Sequence, residues 1–153
     1  MATRKPPQAK SARRPRRPSL GRALVVEDDA ILAMALEDAL REGGADKVVV
    51  CASVAQAMTE LDRLKPDILI LDVQLADRGD GWAMAELVTE LSPRPPAIIF
   101  STGRPDAIPE NIAKLGVVLS KPYQPEILIA AIADLRRKPG LLDRLREALS
   151  TTT

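Results

Sequence analysis

The sequence predicts an α/β domain built on a doubly wound, five-stranded parallel sheet, and three observations carry that prediction. Short apolar runs alternate with longer helix-forming stretches from residue 22 to residue 138. One run, Ile68-Leu69-Ile70-Leu71, is aliphatic throughout, as a central strand covered by helices on both faces should be. Aromatic residues make up 2% of a chain that is 46% hydrophobic, so the core has to be assembled from Ala, Leu, Ile and Val, which helix-on-sheet layers accommodate. Strand–helix units of this kind connect through right-handed crossovers, and the strand order expected is 2-1-3-4-5.

The elements follow in order. Ala23 to Val26 reads as the first strand and runs into Glu27-Asp28-Asp29. Ala30 to Arg41 is rich in strong helix formers, with Ile31, Met34, Ala35 and Leu40 near helical spacing, and Gly43-Gly44 stops it. Val48 to Ala52 is the second strand. Ser53 caps a helix running to about Leu64, with Val54, Ala57, Met58, Leu61 and Leu64 on one stripe. The third strand starts after Pro66 and ends on Asp72. A loop through Ala76-Asp77-Arg78-Gly79-Asp80-Gly81 leads into a helix from Trp82 to about Leu91, which the Pro93 to Pro96 cluster ends. Ala97 to Ser101 is the fourth strand, closing on Thr102-Gly103. A helix is expected between Ile108 and Leu115, then a fifth strand from Val117 to Leu119, ending at Ser120-Lys121-Pro122. Pro125 suits a first helical position, and Glu126 to Lys138 turns Ile127, Leu128, Ala131, Ile132 and Leu135 toward the core. Beyond Pro139-Gly140, Leu141 to Leu149 forms a short amphipathic helix.

The net charge of +1 hides an asymmetry: residues 1–22 hold eight Lys or Arg and no acid, leaving 14 basic against 21 acidic residues in 23–153, a net of −7. The expected division is therefore a disordered basic arm (1–21), a folded acidic domain (22–138) and a helical extension (139–153), since the arm has too little apolar content to offset its ordering entropy. The arm is either a solvated tail or a contact for nucleic acid or another anionic surface, because clustered Lys and Arg release counterions from phosphates. Cys51 alone excludes an internal disulfide, and the absence of His puts a Cys/His zinc site out of reach. No stretch approaches the roughly 18 apolar residues of a membrane span, and no apolar run follows the arm as in a secretory signal. A cytoplasmic protein is expected.

In open parallel sheets ligands bind outside the carboxyl ends of the strands, at the point where the strand order reverses. That rule places Glu27 and Asp28, after strand one, beside Asp72, after strand three. Carboxylates so close repel one another unless a cation sits among them, and oxygen ligands alone select a hard ion such as Mg2+. Thr102 adds a hydroxyl from strand four and Lys121 an ammonium from strand five. Metal, Lys and hydroxyl to neutralise phosphoryl oxygens, and Asp72 to attack in line, make up a phosphoryl-transfer inventory. Taken singly each residue has a plainer reading, the acidic triplet as favourable charge at a helix N-terminus and Asp72 as a turn residue; the constellation carries the inference. Asp29 is expected to be a helix cap, and Trp82 to pack against the third helix, with a partner surface as its other reading.

These same residues resemble a known family, the receiver domain of two-component response regulators. The likeness runs from Arg22 to about Lys138 and rests on Leu24-Val25-Val26-Glu27-Asp28-Asp29, on Pro66 to Asp72, on Thr102-Gly103 and on Lys121-Pro122-Tyr123. It implies the flavodoxin-like receiver fold, with Asp72 as phosphoacceptor, Asp28 as a direct Mg2+ ligand, Glu27 as a mostly water-mediated one, and the backbone carbonyl of Gln74 completing the metal site. Thr102 and Lys121 would bind the phosphoryl group, and the Lys121-Pro122 bond would be cis. It also implies a sensor histidine kinase or histidine phosphotransfer protein as donor, a protein as output partner, and no conventional enzyme activity. Two departures stand out. The Pro usual after the phosphoacceptor is absent from a lengthened loop, and Val118 occupies the place of the family's switching aromatic. Phe100-Ser101-Thr102-Gly103 is most similar to the subgroup marked by Phe-Ala-Thr-Gly-Tyr, with Arg104 in place of the Tyr. The fifteen residues after Lys138 are too few for an output module, so a stand-alone receiver is expected. A phosphatase of the haloacid dehalogenase type, which also uses a strand-end Asp with Mg2+, and a non-phosphorylated interaction module remain as alternatives.

Overall fold

All five expected strands form in the computed structural model of the chain, which describes residues 19–77, 81–137 and 148–150. They are β1 (Gly21–Val26), β2 (Ala45–Cys51), β3 (Ile68–Asp72), β4 (Ala97–Thr102) and β5 (Val117–Ser120), parallel throughout and in the order β2-β1-β3-β4-β5. Helices α1 (Ala30–Glu42), α2 (Val54–Leu64), α3 (Val73–Asp77), α4 (Gly81–Leu91), α5 (Glu110–Ala113) and α6 (Pro125–Arg137) fill the connections, with a 3-10 turn at Pro105–Ala107.

Ile68 to Leu71 are at most 1% exposed because alternate side chains enter two different cores. Leu69 and Leu71 join Leu24, Val26, Met84 and Phe100 on one face, while Ile68 and Ile70 join Ala23, Val25, Leu40, Leu128 and Ile132 on the other. Burial of each such side chain contributes about 1.5–3 kcal/mol, which is what holds the central strand in register. Trp82 packs against Phe100 with ring centroids 6.2 Å apart.

Four expectations need correction. First, β1 begins at Gly21, with Leu20 buried and its carbonyl accepting from Arg136, so the folded unit reaches into the stretch assigned to the arm. Second, α1 buries Ala33, Leu36, Ala39 and Leu40, while Ile31 and Met34 are 83% and 65% exposed; small residues at 33 and 39 let the helix lie close to the sheet, and that decides its rotation over the bulk of the apolar side chains. Met58 and Ile127 likewise face outward on α2 and α6. Third, the chain turns helical directly after Asp72, where a loop was expected. Val73 and Ala76 sit one turn apart and both are buried, and the Asp72 carboxylate accepts from the Gln74 amide at 2.8 Å, as a cap does. Fourth, the helix expected between Ile108 and Leu115 is a single turn that buries Ile112. Residues 1–18 of the expected arm and most of the expected Leu141–Leu149 helix lie outside the described residues.

Gly116 precedes β5 where a side chain has no room: a Cβ there would stand 2.2 Å from the carbonyl oxygen of Ile98. Gly116→Ala is expected to destabilise the fold by about 1–3 kcal/mol, the range for overpacking a filled site. Gly103→Ala, whose methyl meets nothing within 4 Å, should change stability by less than about 0.5 kcal/mol. Parallel denaturant titrations of the two variants check the contrast.

Candidate functional site

Strand register brings the site together. Val26 of β1 pairs with Leu71 of β3, so the next residues, Glu27 and Asp72, emerge level with one another. Asp72 in turn pairs with Ser101 of β4, and Thr102 with Ser120 of β5, which sets Thr102 and Lys121 at the same rim. Glu27, Asp28 and Asp72 each offer a carboxylate oxygen, and these lie within 4.8 Å of one another. Glu27 and Asp72 are 3% and 4% exposed, whereas Asp28 faces solvent.

Each buried carboxylate has one oxygen fixed by the backbone and the other turned to Lys121. Glu27 Oε1 accepts from the Asp29 amide at 3.1 Å, and Asp72 Oδ1 from the Gln74 amide at 2.8 Å. Lys121 Nζ donates to Glu27 Oε2 at 3.1 Å and to Asp72 Oδ2 at 3.4 Å. Burial pushes the Glu27 carboxyl above its ordinary value; the Asp29 amide and Lys121 pull it back, and Asp72 adds to the rise. Burial works to lower the Lys121 ammonium, but its hydrogen bond to Glu27 and the charge of Asp72 outweigh it, and its pKa is raised.

Thr102, 2% exposed, accepts from the Arg104 amide at 2.8 Å, which fixes its oxygen and leaves the hydroxyl proton to donate elsewhere. Asp29 is the α1 cap the sequence indicates, accepting from the amides of Ile31 and Leu32. Gln74 lies within α3, and it turns its amide to Asp72. Carbonyls of a helical turn point away from its N-terminus, so a Gln74 carbonyl ligand requires the first turn of α3 to open. The Lys121-Pro122 bond is cis. Ser101 and Tyr123 escaped the sequence reading as partners: their hydroxyls share a hydrogen bond of 2.9 Å. The signal was a hydroxyl on the strand residue before Thr102 and a phenol two residues after Lys121.

The donor set is all oxygen and three-fold acidic, with an ammonium already resting on the two buried members. Such a set suits a hard divalent ion that keeps part of its water, as Mg2+ does, with Glu27, Asp28 and Asp72 as the residues to hold it.

The sequence model of the family described as the response regulator receiver domain matches residues 23–133. The transcriptional regulatory protein TrcR of Mycobacterium tuberculosis is 31% identical over 127 residues, covering 80% of this chain and 48% of that protein. The chemotaxis protein CheY of Thermotoga maritima is 26% identical over 113 residues, covering 72% of this chain and 93% of CheY. Among solved structures, a response regulator receiver domain from Bermanella marisrubri superposes with a TM-score of 0.65 at 27% identity, over 78% of this chain and 99% of that one. The chain spans less than half the length of the first three curated relatives it matches, 23%, 48% and 39%. Among the described residues, no helix is long and apolar enough to cross a membrane.

The raised Glu27 pKa has a consequence for stability in metal-free buffer. The folded state holds that proton more tightly than the unfolded chain, whose value is near 4.5. This contribution is therefore full below 4.5 and is lost as pH rises through the higher folded value. Glu27→Gln should flatten that fall in thermal midpoint from pH 4.5 upward relative to wild type, as calorimetric scans in EDTA across the window can measure.

Proposed function

The chain belongs to the receiver domain family of response regulators, whose members are signalling domains rather than classical enzymes, and from that premise we propose that it accepts a phosphoryl group on Asp72. One observation carries the reading: Asp72 is buried at a strand tip with carboxylate oxygens of Glu27 and Asp28, both from the end of β1, within 4.8 Å, and Lys121 Nζ lies 3.4 Å from its Oδ2. A turn residue has no need of such company.

In the proposed reaction a histidine kinase or histidine phosphotransfer protein presents phosphohistidine. An oxygen of Asp72 attacks phosphorus, the P–N bond breaks with its electron pair remaining on the imidazole, and an aspartyl phosphate results. Asp28 and Asp72, Glu27 through water, and the Gln74 carbonyl once α3 opens, would hold Mg2+, which when bound would supply positive charge against that developing on the phosphoryl oxygens. Lys121 leaves its contact with Asp72 for a phosphoryl oxygen, and Thr102 donates its hydroxyl proton to another. The shift of these two side chains biases the face formed by α5, β5 and α6, where a downstream protein binds. Val118 is aliphatic, so this face responds without an aromatic swing at that position. We further propose that the receiver unit acts in the cytoplasm.

Asp72→Ala is expected to fold yet gain no acid-labile, hydroxylamine-sensitive phosphate from acetyl phosphate and Mg2+. Equal labelling of the variant and the wild type, read on phosphate-affinity gels, would contradict the assignment.

A further inference from the structure

Lys121 lies on a short segment that leaves β5 at Ser120 and becomes helical only at Pro125. A long, flexible side chain on such a segment is a poor instrument for placing a charge, because misplacement by about 1 Å at a reacting centre can cost two orders of magnitude in rate. The segment is tied to β4 on both sides of the ammonium-bearing residue. Before the side chain, the Lys121 amide donates to the Thr102 carbonyl at 2.6 Å. After it, the Tyr123 hydroxyl meets Ser101 Oγ at 2.9 Å. Both anchors are the last two residues of β4, and Ser101 pairs in register with Asp72 itself.

We propose that Tyr123 and Ser101 are a positioning pair that holds the Lys121 ammonium against Asp72, an inference that rests on Asp72 being the phosphoacceptor. Ser101 is fully buried, so its hydroxyl needs a partner, and Tyr123 supplies one. The alternative of a purely space-filling aromatic leaves the buried serine unexplained, since alanine or valine would fill a β4 position between two cores without a polar atom to satisfy. Burial pushes the Tyr123 phenol up, and the pull of Ser101 and of the Lys121 charge does not reverse this, so it stays a neutral hydroxyl able to donate or accept. The other two aromatics of the chain, Trp82 and Phe100, pair with each other in the opposite core. Tyr123 packs in the core that contains Ile70 and Leu128, and its phenol is within electrostatic reach of Lys121. With Val118 aliphatic, Tyr123 is the aromatic that connects the lysine segment to the sheet.

The test compares initial rates of labelling by acetyl phosphate in saturating Mg2+. Tyr123→Phe keeps the ring and removes the oxygen; it should label about five-fold more slowly than wild type, the cost of one neutral hydrogen bond. Ser101→Ala should slow labelling to a similar degree, and the double variant should be no slower than either single one. Mg2+ affinity should be unchanged in all three, because neither hydroxyl touches a carboxylate of the metal set. In a Lys121→Ala background, Tyr123→Phe should make no further difference, since the group it positions is gone. Labelling of Tyr123→Phe at the wild-type rate overturns the proposal, and so does an equal slowing with and without Lys121, which would mark a merely structural role. Failure of the wild type itself to label would instead overturn the phosphoacceptor reading, and the inference with it.

Discussion

Three carboxylates converge at the tips of two adjoining strands, and the repulsion among them organises the rest of the site. Among the described residues an ammonium answers that repulsion: Lys121 lies 3.1 Å from Glu27 and 3.4 Å from Asp72, both nearly excluded from water. Burial makes Glu27 hold its proton more firmly, and in so dry a place the two carboxylates raise Lys121 against the effect of its own burial. Among the described residues, one positive charge stands against three negative ones, an anionic balance. That residue of negative potential is the physical basis for expecting a divalent cation, and the mobility of a lysine side chain is the basis for expecting Lys121 to change partners when a phosphoryl group arrives.

The sheet exists, in this view, to bring residues 27, 72, 102 and 121 to one rim from four different strands. The order β2-β1-β3-β4-β5 makes β1 and β3 neighbours although a helix, a strand and another helix separate them in sequence. The two aliphatic cores hold β3 rigidly from both faces, so that Asp72 inherits the precision of the interior. Charged groups are costly to bury, and it is the stiffness of Ile68 to Leu71 beneath them that keeps these in place.

What the sequence made legible follows from the same physics. The strands could be read because apolar runs between helix-forming stretches have few other uses, and the strand-end residues came with them. The rotation of α1 could not: Ile31 and Met34 are larger than Ala33 and Ala39, yet the small residues face the sheet because the backbone approaches closely there, a matter of tertiary fit that hydrophobicity does not report. The glycines around position 80 masked α3, whose helicity comes from two buried residues one turn apart and a cap supplied by Asp72 itself. The Ser101–Tyr123 bond was hidden for a different reason. It joins residues 22 positions apart through a register that only the folded sheet defines.

Capture of a hard cation by the anionic rim is the property on which the site's chemistry depends, and isothermal titration of Mg2+ into the metal-free chain and into Asp28→Asn measures it directly. Asp28 is the exposed member of the set, so its neutralisation leaves the buried framework intact while removing one ligand charge. Saturable one-site binding to the wild type is expected, with binding weakened by at least about ten-fold in the variant. Equal affinity in the two proteins, or no binding to the wild type, would contradict it.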